Sequence, residues 1–278
     1  MTETTPSLRK VLVIIDPAEE VQYALRRVEL MNDIIEGGVD IHLFISVEMD
    51  KLGRQAFEFH CDNEWFANLV KPLHKHGINY TAEVYWTEDW QKSVLNAVER
   101  HGIDAIVMSD YTTEEHQNDM SAARWALLRV APCPVLIVHP SSQLHRKTIL
   151  GAVNMQTDNP SYVDLNRNIL KVTQMMAKSY GAEKHTVNAY EDSMEFPDRA
   201  MLLRETDTVQ ENLHVQMGDP ETIIATVADD IDADVVVIGT LSRRGLRAAM
   251  RGNTSERIIK RLNRDVMVLN STIGTPAS

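Results

Sequence analysis

Cysteine is nearly absent from this 278-residue chain: Cys61 and Cys133 are the two, and no CxxC spacing joins them. That sets aside a disulfide scaffold and makes free thiols in a reducing cytoplasm the expectation. Long apolar runs are missing as well, and none approaches the roughly 20 residues that a bilayer-spanning helix needs. The opening MTETTPSLRK has neither an apolar core nor a cleavage pattern, so no export signal is expected. Positive charge is in deficit. Lys and Arg number 28 against 40 Asp and Glu, a net charge of −12, and the mean field of such a chain opposes general nucleic-acid or anionic-membrane binding. With 44% hydrophobic and 24% charged residues, the composition is otherwise that of a globular protein with one large or two medium domains.

Apolar runs alternate with helical patterns throughout. KVLVIID, from Lys10 to Asp16, reads as a strand buried on both faces of a parallel sheet. Val21, Leu25, Val28, Met31 and Ile35 then recur at helical spacing until Gly37-Gly38 stops the helix, and the strand VDIHLFISV follows. The second half repeats the order. KTILGAVN is a strand, Asn159-Pro160 a helix cap and first turn, and Leu165, Ile169, Val172, Met176 and Tyr180 a helical face closed by Gly181. In the next strand, EKHTVNAY, His185 stands where His42 stands in the first half.

Further on, the match becomes gapless. EDWQKSVLNAVERHGIDAIVMSD from Glu88 aligns with GDPETIIATVADDIDADVVVIGT from Gly218 at an offset of 130 residues. Each copy is a capping Asp, an amphipathic helix, an Asp and an apolar strand, and each half closes on a helix and a β-branched strand, PVLIVHP or DVMVLN. The chain therefore reads as two tandem doubly wound α/β domains, Rossmann-like, each with a five-stranded parallel sheet. They span residues 1–143 and 144–278, with a longer helical insert in the first.

In an open parallel sheet, ligands sit outside the strand C-termini where strand order reverses. With order 3-2-1-4-5, the second half offers Val153-Asn154-Met155 on one wall and Gly239-Thr240 on the other. The loop that leaves Gly239 suits an anion. From Leu241 to Arg264 there are seven arginines and one lysine against a single glutamate. Gly252 precedes the helix NTSERIIKRL, whose free N–H groups and dipole attract negative charge, and Asn253, Thr254 and Ser255 add donors. A capping box formed by Asn253 and Glu256 explains the same helix start without a ligand. The first-half counterpart, SDYTTEEHQNDMSAARW, has no glycine and carries carboxylates in place of arginines.

Other chemistry is thin. His74 and His76 lie two apart on a helix and face different ways, so with His60 and Cys61 they are not expected to hold a metal. The 13 methionines are scattered and read as core. Trp65, Trp86, Trp90 and Trp125 all fall in the first half and read as a larger core there, or as a pocket beneath the insert. No nucleophile is visibly paired with a base, so no catalytic residue is assigned.

Glycine, two residues, glycine, nine residues, then glycine and Ser/Thr is the phosphate-loop pattern of the universal stress protein family, which this chain resembles over almost its whole length. Gly239 and Gly252 match the first and third glycines, and Gly252-Asn253-Thr254 gives the GNT ending of tandem bacterial members. Two positions depart from the pattern: Ser242 replaces the middle glycine, and Asn253 the Ser/Thr. The Asp that ends the first strand in nucleotide-binding members is Asp16 in the first half but Asn154 in the second. The resemblance implies a cytoplasmic stress-response protein whose C-terminal domain binds an adenine nucleotide, ATP with Mg, as a regulatory ligand. Val153, Asn154, Ala189, Ile238, Gly239, Ser242, Arg243, Gly252, Asn253, Thr254 and Ser255 would line that site. It also implies a homodimer, protein partners of unknown kind, and at most slow ATP hydrolysis. A scaffold or small-ligand carrier, with its pocket in the N-terminal domain and no nucleotide, is the alternative.

Overall fold

The structure, a computed structural model, describes residues 8–48, 62–87, 89–110, 120–156, 159–241, 254–271 and 273. The chain divides into two compact units, Met1–Asp110 and Tyr111–Ser278.

The first unit runs β1 (Lys10–Ile15), α1 (Tyr23–Ile34), β2 (Asp40–Glu48), α2 (Asn63–Lys75), β3 (Tyr80–Thr87), α3 (Trp90–His101) and β4 (Ala105–Ser109). Its strands lie in the order β3-β2-β1-β4 with parallel pairing. Val11, Leu12, Val13 and Ile15 on β1 are wholly buried, as the unbroken apolar run predicts for a central strand covered on both faces. Asp89 caps α3 by accepting the Lys92 N–H at 3.1 Å. At its other end, Gly102 takes the left-handed conformation, φ 61°, that closes a helix.

The second unit holds α4 (Ala122–Val130), β5 (Val135–Val138), β6 (Thr148–Val153), α5 (Pro160–Tyr180), β7 (Glu183–Tyr190), α6 (Arg199–Thr206), β8 (Leu213–Met217), α7 (Pro220–Asp230), β9 (Val235–Thr240), α8 (Thr254–Arg261) and β10 (Asp265–Asn270). Strand order is β5-β10-β9-β6-β7-β8. From β8 to β10 this is the 3-2-1-4-5 order expected, with parallel pairing. β5, the closing strand of the first sequence repeat, pairs antiparallel with β10, Ile137 opposite Val266 and Val135 opposite Val268. The sequence repeat and the compact units thus divide the chain at different places.

The aspartate that recurs before the fourth strand of each repeat has a structural task. Asp104 Oδ2 accepts the backbone N–H groups of Arg9 and Lys10 at 2.9 and 2.8 Å. Asp234 Oδ2 accepts those of Lys147 and Thr148 at 2.5 and 3.0 Å. Each carboxylate therefore satisfies the open donors where its first strand begins. Among the described residues, no helix is long and apolar enough to cross a membrane.

Candidate functional site

β6 and β9 are hydrogen-bonded neighbours in register from Ile149 opposite Val235 to Gly151 opposite Val237. Val153-Asn154 and Gly239-Thr240 therefore leave the sheet side by side, at the point where the strand order turns back. Val153 and Ile238 are buried at 7% and 2% exposure, whereas Asn154 is exposed at the rim. Ala189 stands at the end of β7, next to β6. The crevice walls named from the sequence thus come together.

Two asparagines that the sequence reading passed over shape this rim. Asn166, buried on α5, clamps the backbone of Asn154: its Oδ1 accepts the Asn154 N–H at 3.1 Å and its Nδ2 donates to the Asn154 carbonyl at 2.6 Å. Asn188, wholly buried on β7, accepts the Met155 N–H at 3.0 Å. Its Nδ2 is buried without a hydrogen-bond partner among the described residues. The turn is closed by Gln156, whose N–H donates to Asn154 Oδ1 at 3.3 Å and whose Nε2 donates to the Ala189 carbonyl at 3.1 Å. Asn166 shows in the sequence as an amide beside Leu165 and Ile169 of an apolar helix face, whereas Asn188 shares its face of β7 with Lys184 and Thr186 and gives no such signal.

Gly239 has a packing reason that the sequence does not reveal. A Cβ there would stand 2.6 Å from Leu165 Cδ2 and 3.0 Å from Ile169 Cδ1 on α5, so the bare backbone lets that helix lie close against β9. Its carbonyl accepts a hydrogen bond from Ser255 Oγ at 2.8 Å. This bond ties the first turn of α8 to the end of β9. Thr254 opens the helix and is exposed; Ser255 is buried. Ser242, Arg243, Gly252 and Asn253 lie outside the described residues.

Part of the basic excess is structural. Arg257 Nε meets Glu221 Oε2 at 2.7 Å, and Arg261 Nη2 meets Glu221 Oε1 at 3.5 Å. Arg264 pairs with Asp229 and donates to the carbonyls of Ala228 and Ala233 at 2.9 and 2.6 Å. Three of the seven arginines therefore hold α8 and its exit against α7; the other four fall in residues 242–253. Glu256, read as one half of a capping box, has its Oε1 on Arg129 of α4, which donates through Nε at 3.1 Å and through Nη2.

The fold defines a duplicated doubly wound α/β protein with a crevice at the switch point of its second repeat. Residues 167–270 match the Universal stress protein family. The chain is 28% identical to Universal stress protein E of Escherichia coli K12, over 94% of this chain and 93% of that protein. It is also 28% identical to the Universal stress protein E homolog of Haemophilus influenzae, over 92% and 95%. A putative universal stress protein from Pseudomonas aeruginosa UCBPP-PA14 superposes with a TM-score of 0.78 at 25% identity, covering 95% of this chain and 94% of that one. A functionally unknown protein from Pseudomonas aeruginosa PAO1 shares the fold at a TM-score of 0.79 and 24% identity, over 96% and 94%. The second repeat of this chain thus matches the universal stress protein family, and the chain is similar over nearly its whole length to proteins of that name.

Proposed function

We propose that this protein serves in the stress response by binding an adenine nucleotide, ATP with magnesium, in its second repeat as a regulatory ligand. Similarity to universal stress proteins supports the stress-response role. The observation that carries the nucleotide reading is the Ser255–Gly239 hydrogen bond. It fixes the start of α8 beside the strand ends that wall the crevice, where the helix's free N–H groups and positive dipole end face an anion.

The remaining parts have matching chemistry. The turn from Asn154 to Gln156, held by Asn166 and Asn188, presents the exposed Asn154 amide to a nucleoside at the opposite wall. The arginines of residues 242–253 supply positive charge between the two glycines of the spacing motif. Asn154, standing where a carboxylate would help to hold a metal, leaves magnesium to the phosphates themselves. The ligand's effect is on conformation and partner binding, in a homodimer, because no base faces a nucleophile among the crevice residues described above.

Thermal denaturation of the full chain with and without ATP and magnesium tests this. A rise in Tm that saturates with nucleotide, and that Gly252→Asp removes, is the expected result. An unchanged Tm at millimolar ATP defeats the nucleotide reading and favours a carrier or scaffold.

A further inference from the structure

A second cluster lies in the first unit, near the end of the sheet where its strands begin. His42 on β2, Glu83 on β3 and His101, the last residue of α3, bring one ligand-type atom each within 4.8 Å of one another. His42 Nε2 stands 3.1 Å from Glu83 Oε1, and His101 Nε2 stands 3.7 Å from Glu83 Oε2. The two imidazoles stack with centroids 3.9 Å apart. Both histidines line a cavity of about 230 Å³ that also takes in Lys10 and Thr81.

The polar accounting of this cluster does not close. His42 Nε2, Glu83 Oε1 and His101 Nε2 are all buried, and none has a hydrogen-bond partner among the described residues. His42 itself is 5% exposed. Three buried polar atoms left in this way carry an uncompensated desolvation cost. His42 is already oriented through its other nitrogen, Nδ1, which lies 2.7 Å from Thr81 Oγ1. That is the outer hydrogen bond by which ligating histidines are held with Nε2 free to coordinate.

We infer that His42, Glu83 and His101 form a divalent transition-metal site, best suited to zinc, with its fourth position open to the cavity. Two imidazoles and one carboxylate form a three-residue zinc ligand set that leaves one position for water. Arg100 Nη1 holds Glu83 Oε2 at 3.0 Å, so the site carries almost no net negative charge. Calcium and magnesium, which depend on anionic oxygen ligands, are therefore poorly served, whereas zinc gains from the nitrogen donors. Small ring rotations that unstack the imidazoles complete the coordination.

The second repeat provides an internal control. There the strand register puts His214 in the place of Glu83, and the position aligned with His101 is Ile231. His185 Nδ1 and His214 Nε2 satisfy each other at 3.0 Å, so that imidazole pair does not converge on a common point.

The test is zinc titration of the chelator-treated full chain in competition with a chromophoric chelator, repeated with cobalt for its four-coordinate absorption. One site per chain is expected, with the cobalt spectrum lost in His42→Gln and in His101→Gln and kept in His185→Gln. Thr81→Val weakens zinc about 10–100-fold. Absence of uptake overturns the inference, as does uptake that survives both His42→Gln and His101→Gln, since His74 and His76 remain in every variant. If the buried His42 variant does not fold, His101→Gln, at a partly exposed helix end, decides alone.

Discussion

Arg146 Nη2 lies 2.5 Å from Asp265 Oδ2, and neither side chain is more than 1% exposed. The same carboxylate accepts the His139 N–H at 3.0 Å and the Ser142 hydroxyl, while Arg146 donates to Tyr180 OH at 3.0 Å and stacks over that ring. The segment that joins the two repeats is thereby fastened to the start of β10. Removing one partner leaves the other charge buried and unpaired, so Asp265→Ala is expected to cost about 3–5 kcal/mol in chemical denaturation. Replacing Asp265 by Asn keeps acceptors for His139 and Ser142 and should cost less.

Gly239→Ala is expected to destabilise the second unit by about 1–3 kcal/mol, because its Cβ meets Leu165 of α5. The double variant with Leu165→Ala should recover part of that loss relative to the sum of the single variants. Strict additivity in a double-mutant cycle would show that the two positions do not compete for space.

The paired aspartates should behave alike. Asp104→Ala and Asp234→Ala each remove one acceptor from two backbone donors at a strand start. A cost of about 1.5–3 kcal/mol per variant is expected, read by denaturant midpoint. A large difference between them would mean that the two repeats do not share this device energetically.

Burial, and then the neighbouring His185, hold the His214 imidazolium below its ordinary value, with Asp230 partly opposing and Arg199 reinforcing the shift. With the folded pKa depressed, protons bind the unfolded chain more readily. The contribution is therefore complete above about pH 6.5 and is lost as pH falls towards the folded value. Melting temperatures should decline between pH 7.5 and 5.5, and His214→Leu should flatten that slope. An identical slope in the variant would assign the acid sensitivity to other groups.

Much of the architecture could be read from the chain because it depends on local pattern. The continuous apolar run at Lys10–Ile15, the spacing from Leu165 to Tyr180 and the closing Gly181 each predict an element that the structure contains. The crevice between β6 and β9 followed from the strand order. What stayed hidden depends on contacts made across the fold. His42 and His101 lie on elements far apart in the chain, and no spacing rule joins them to Glu83, whereas the conspicuous His74 meets Tyr80 OH through Nε2 at 2.9 Å. The packing role of Gly239 is equally invisible in the sequence, which does not show that Leu165 lies behind it. The partners of Arg257, Arg261 and Arg264 cannot be read from local sequence, because Glu221 and Asp229 precede them by more than thirty residues.

The antiparallel pairing of β5 with β10 bears on how this gene could be dissected. A fragment started at residue 144 would contain the entire second repeat and still lack the strand that covers one side of β10. Val266, Met267 and Val268 would then form an open apolar border, a template on which one fragment could zip to another. A fragment begun at residue 111 keeps its own guard strand. Half-proteins made at the two cut points should therefore differ in solubility even though both contain the whole of the same repeat.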